Sequence, residues 1–177
     1  MLNYLDIAAL LIIAISVIAA MIKGILSELL SLGSVIVGIV CAVLFYPQAA
    51  DFFGFIDAPR LGLEFLGFAA IFIFFVVLGA VLSHLADRLM KALKIKWFDR
   101  LMGGAFGFLR GYLINLVIFL GLTAFPISES LIAGSFLKDY FLAGAGIIVK
   151  LAPEGLKARF VEGIESLYED LQEESES

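Results

Sequence analysis

Long uncharged runs broken by short charged segments set the organisation of this 177-residue chain. Ile7 to Ile22 is uncharged for sixteen positions between Asp6 and Lys23. A hydrocarbon core of about 30 Å takes about 20 helical residues. Snorkelling of Lys23 and a partly wetted Asp6 make up the difference. The positive charge follows this run instead of preceding it, so the segment reads as a retained span and not as a cleaved signal peptide. Leu29 to Ala50 supplies twenty-two uncharged positions, with Gly33 and Gly38 as points of close helix contact, and Pro47 predicts a helix end near Tyr46. Asp51 to Arg60, with Gly54, Asp57 and Pro59, reads as a loop outside the membrane. Phe65 to Ala86 is a third run of twenty-two, with Glu64 at one end and Ser83 and His84 near the other. A fourth span runs from Leu101 to Phe125 and is closed by Pro126; it exceeds the bilayer requirement and must tilt or protrude.

The remaining segments are too polar or too short to span. Asp87 to Arg100 carries Arg88, Lys91, Lys94, Lys96 and Arg100, with Leu89, Leu93 and Trp97 at helical spacing, which predicts an amphipathic connector at the membrane surface with Trp97 among the headgroups. Ser128 to Leu151 has uncharged pieces of only eight to ten residues and reads as an interfacial or re-entrant helix. From Glu154, Leu156, Phe160, Ile164, Leu167 and Leu171 share one face of an acidic amphipathic helix that packs on protein, with the last six residues disordered. The pattern predicts an all-α integral membrane bundle of four transmembrane helices. It divides into a membrane domain over 1–125, an interfacial segment over 126–153, and an acidic helix and tail over 154–177.

Composition sharpens the class. Only 16% of residues are charged and 62% are hydrophobic, against about 25% charged in soluble domains, and the mean hydropathy is +1.07. The net charge of −5 belongs to the tail, where eight acids face two bases from Glu154 onward. No clustered basic footprint for nucleic acid is present. Basic residues concentrate in the first and third connectors, while the N-terminus has none and the second connector has Arg60. The positive-inside rule therefore places Lys23 and the Arg88–Arg100 connector in the cytoplasm and both termini outside.

Candidate chemistry is sparse. Gly103, Gly107 and Gly111 fall on one stripe of the fourth span and mark a packing face, within the bundle or between copies of the chain. Asp99 and Arg100 mark the cytoplasmic start of that span. Arg110 sits beside the stripe, either near mid-bilayer with an acidic partner or snorkelling at the interface. Glu28, Asp6, Glu64 and Asn115 are its candidate partners, with Glu28 preferred because it shares the cytoplasmic side. The lone His84 and Cys41 lack companions at metal-ligand spacing. Ser83 adjoins His84 but points to another helix face, and no nucleophile turn or phosphate loop exists. Neither enzyme activity nor a cofactor is expected.

One further pattern is more specific than these. Asp6, the Lys23-Gly24 pair followed by Glu28 and Ser31-Leu32, and above all Asp99-Arg100-x-x-Gly103-x-x-Phe106-Gly107-x-x-Arg110-Gly111 resemble the colicin V production protein family over residues 1 to about 125. Ser27 departs from the basic residue expected beside the acid, which thins any charge cluster there. The resemblance implies a four-span bacterial inner-membrane protein needed for colicin V production and for envelope function more generally. It supplies no mechanism. Some relatives add an external protease domain, and none is expected here. The expected role is a non-enzymatic accessory or scaffold factor in toxin production or export and envelope homeostasis, in contact with membrane lipids and with a second copy or another inner-membrane protein. The alternative is a small channel or transporter with Arg110, Glu28 and Asp6 as an intramembrane polar path.

Overall fold

Backbone polar groups have no water to bond to inside a bilayer, so a spanning chain must satisfy them within helices or a closed barrel. The computed structural model describes residues 3–23, 25–90, 97–125, 132–150 and 152–176, whose regular structure is helical, with no strand among them. Among the described residues six helices follow in order: α1 (Tyr4–Lys23), α2 (Ile25–Phe52), α3 (Arg60–Met90), α4 (Trp97–Ala124), α5 (Lys138–Val149) and α6 (Glu154–Glu176). The first four are long and apolar enough to cross a membrane. At 12 residues, or about 18 Å, α5 is too short to do so.

The spans form two antiparallel pairs. Along α1 and α4, Met21 lies beside Gly104, Ala20 beside Gly107 and Ile13 beside Gly111. Along α2 and α3, Ser34 lies beside Gly79, Phe72 and Phe75 beside Gly38, and Tyr46 beside Gly67. The pairs join through α2 and α4. Lipid tails are as apolar as leucine, so close backbone approach rather than hydrophobicity holds such helices together. Glycine makes that approach possible here, since a Cβ at Gly107 would stand 2.5 Å from Ala20 Cβ and 2.7 Å from the Ser16 carbonyl oxygen. The glycine stripe of α4 is thus covered at Gly107 and Gly111 by α1 of the same chain, and Gly103 is buried.

Several boundaries differ from those the sequence predicts. Pro47 lies inside α2, which continues to Phe52. The Gly67 region of α3 packs on the Tyr46–Ala50 backbone, and tertiary packing of this kind tolerates proline inside a span. Gly33, expected as a contact point, has nothing within 4 Å of its would-be Cβ. Residues 87–90 of the expected surface connector continue α3, and 97–100 begin α4. The connector centre with Lys91, Lys94 and Lys96 lies outside the described residues, as do the Trp97 side chain, Pro126 and the first part of the 128–151 segment. The terminal residues 172–176, expected to be disordered, extend α6; Gln172, Glu173 and Glu174 are good helix formers.

The two accessory helices pack along the second half of α4. Phe141 of α5 places its ring 4.8 Å from that of Phe119 and 5.5 Å from that of Tyr112, both on α4. On α6, Leu156, Phe160 and Leu167 are buried. Gly163 rides on Thr123, whose carbonyl oxygen a Cβ at that position would strike.

These contacts set a contrast between two glycines. Gly107→Ala should destabilise the protein by about 1–3 kcal/mol through overpacking. Gly33→Ala should be neutral or stabilising by up to about 1 kcal/mol, because it removes only backbone freedom. Thermal unfolding of the two variants in one detergent checks the order.

Candidate functional site

An ionised side chain inside a span costs at least about 2.5–3.5 kcal/mol on insertion scales unless its charge and hydrogen-bonding groups are met. Arg110 lies in the middle of α4, and its side chain runs back toward the helix N-terminus as long helical side chains do. Its guanidinium reaches the junction of α1, α2 and α4. Nη1 stands 2.8 Å from each carboxylate oxygen of Glu28 and donates at 2.8 Å to Ser31 Oγ. Nε donates at 2.8 Å to Ser16 Oγ, and Nη2 donates at 3.2 Å to the Ser16 carbonyl oxygen. The Arg110 side chain is 11% exposed and that of Glu28 is fully buried. All three guanidinium nitrogens are therefore engaged.

The neighbours explain how a long side chain fits there. Gly107 and Gly111 flank Arg110 on the face that meets α1, and their missing Cβ atoms bring the Ser16 backbone within reach of the guanidinium. Ser16 lies seven residues before the end of α1, and Ser31 six residues after the start of α2. At 1.5 Å per residue the charge sits roughly 10 Å below the level where those helices turn. Attraction across such a dry site is much stronger than at a surface, but it must offset the desolvation of both ions.

The other candidate partners stand elsewhere. Asp6 is fully buried at the start of α1 and accepts from Ser135 Oγ at 2.5 Å, from the Phe136 and Leu137 N–H groups at 3.0 and 3.1 Å, and from the nearby Asn3 N–H at 2.9 Å. It thereby fastens the approach to α5 onto α1 and does not join Arg110. Asn115 donates from Nδ2 to the carbonyl oxygens of Ala9 at 3.2 Å and Gly111 at 2.9 Å. Glu64 meets Arg60 Nε at 2.9 Å and also accepts from Arg159 of α6, whose guanidinium lies 5.6 Å from the Phe125 ring centre. Asp99 accepts from the Ile25 N–H at 3.0 Å and so caps α2 from another helix, a role its sequence position did not disclose. No group of three or more His, Cys, Asp or Glu side chains able to hold a metal occurs among the described residues.

Sequence reasoning also missed Ser16, Ser31 and Ser135 as ligands of charge. A usable signal existed for the first, since Ser16 is the one polar residue in an otherwise apolar α1 run. Ser135 could not be found that way, because its partner lies 129 residues away in sequence.

A family model described as colicin V production protein matches residues 5–146, which extends beyond the fourth span and through most of α5. A colicin V production protein homolog of Haemophilus influenzae is 33% identical over 103 residues, covering 58% of this chain and 63% of that protein. The match thus spans less than two thirds of that relative's length. The colicin V production protein of Escherichia coli K12 is 30% identical over 123 residues, covering 69% of this chain and 75% of the relative. No solved structure matches.

Removing one member of the buried ion pair should cost more than removing both. Glu28→Gln leaves the Arg110 charge uncompensated and should destabilise by about 3–5 kcal/mol, whereas the Glu28→Gln/Arg110→Gln double variant should recover part of that loss. A double-mutant cycle on unfolding in mild detergent measures the coupling.

Proposed function

This chain belongs to the colicin V production protein family, and from that premise we propose that it is a non-enzymatic accessory or scaffold protein of the bacterial inner membrane. In this role it serves toxin production or export and, more widely, envelope homeostasis. The observation that carries the scaffold reading is the closed shell around Arg110. A conducting or transporting site needs polar groups that exchange their partners with a passing ion or solute. Here the three guanidinium nitrogens are held by Glu28, Ser16 and Ser31 of the chain itself. Asp6, which a polar path would also require, is engaged by residues 135–137.

Inner-membrane orientation is supported by the distribution of charge over the bundle. Lys23 and Arg100 lie at the end where Asp99 caps α2, and Asp51, Arg60 and Glu64 lie at the opposite end, where α6 begins. The positive-inside rule puts the first end in the cytoplasm and both termini on the other side. With Gly107 and Gly111 covered by α1, a second copy or another inner-membrane protein would dock through other faces.

Reconstitution and complementation separate the scaffold from a channel. Vesicles holding the wild-type protein should pass no ion or solute above empty vesicles. Gly107→Leu, which pushes α1 off α4, should abolish colicin V production through loss of the folded bundle. Flux through the wild type that disappears in a folded Arg110→Gln variant would establish transport instead.

A further inference from the structure

The two helix pairs leave a gap between them. Because α1 packs on α4 and α3 packs on α2, the last turn of α1 and the final turns of α3 stand apart, and a cavity of about 660 Å³ opens there. That volume lies within the range of roughly 300–1,000 Å³ typical of small-molecule sites. Its floor is apolar and comes from one stripe of α3 that includes Ala80, Val81 and Leu85. Its rim carries Lys23 from α1 with His84 and Arg88, one helical turn apart on α3. Val81 and Leu85 are half exposed, as expected of side chains that lie against something other than protein.

We propose that this groove binds one anionic phospholipid, with the phosphate held between Lys23 and Arg88 beside His84 and an acyl chain laid along Ala80, Val81 and Leu85. Charge complementarity carries the assignment. Two permanent cations converge on the polar end of an apolar channel, and among the side chains described neither is in an ion pair. Asp99, a carboxylate at the same end of the bundle, is turned to the Ile25 N–H. Arg110, by contrast, has its own carboxylate. A second groove, between α5 and α6, is lined by Lys150 and Lys157, and the pairing of Lys157 with Glu154 at 2.7 Å leaves it a single cation outside any ion pair among the described side chains. Each basic side chain near a membrane surface attracts anionic lipid by a comparable increment, so two of them acting on one phosphate give selectivity as well as affinity. The geometry places the phosphate where α1 ends, at the level of lipid headgroups, with the chain running toward the bilayer centre.

Native mass spectrometry of the full-length protein tests the assignment, using phosphatidylglycerol and phosphatidylcholine of identical chains. The wild type should retain one phosphatidylglycerol in preference to phosphatidylcholine. Lys23→Gln/Arg88→Gln should weaken that retention about tenfold or more. Ala80→Phe, which fills the floor and leaves both charges in place, should also lower it. Both variants alter accessible side chains, and an unchanged elution profile confirms that they fold. Equal retention of the two lipids by the wild type, or full retention by the double variant, would overturn the proposal. So would displacement of the lipid by soluble glycerol phosphate combined with no effect of Ala80→Phe, which would mark an anion site. A lipid-free wild-type dimer that Ala80→Phe dissociates would also overturn it, because a second copy of the chain would then fill the groove.

Discussion

The ion pair between Arg110 and Glu28 is the constraint on which the arrangement of spans depends. A guanidinium in the middle of a membrane helix must be met by a carboxylate and by oxygen acceptors, and here they come from two other helices. That requirement fixes the rotation of α4 about its axis, since only one face can carry Arg110 toward α2. It also sets the register of α1 against α4, because the Ser16 carbonyl oxygen must fall beside the guanidinium. The glycines at 107 and 111 then follow as a necessity of reach, since any larger side chain would push α1 away from the charge. Packing and electrostatics in this region are therefore one device.

The opposite end solves a different problem with similar means. Asp6 and Glu64 are both buried acids, and each draws a partner from outside the four spans. Asp6 is met by a hydroxyl and backbone N–H groups just before α5, and Glu64 by Arg60 and by Arg159 from α6. The accessory helices are held to the bundle by acids that the spans supply. A buried ion pair contributes little net stability against an apolar replacement, but it discriminates strongly against wrong partners. That balance suits elements which must find one docking position on a mostly featureless apolar surface.

The four spans were legible in the sequence because an uncharged run of about twenty residues matches the thickness of a bilayer and little else. The pairing of Arg110 with Glu28 was also within reach, since both lie near the same end of the bundle. What escaped were features set by tertiary contact. Pro47 stays helical because α3 packs against its turn, and Gly33 faces open space while Gly38 does not, although both sit in the same run. Arg60 meets Glu64 from one helical turn away, but the other partners of Asp6 and Glu64 lie 129 and 95 residues further on. Nothing local in the sequence encodes those meetings. The glycine stripe was legible as a packing face, and only the structure identifies α1 as what covers it.

The cap that Asp99 places on α2 bears on how the protein is made. The Ile25 N–H finds its acceptor 74 residues later in the chain, and Glu28 finds Arg110 82 residues later. At about 5–20 residues per second, several seconds separate the synthesis of the first hairpin from that of the groups that complete it. During that interval a buried acid and an uncapped helix start wait in the membrane for the fourth span. Insertion of α4 is thus the event that turns a loosely associated hairpin into a folded bundle.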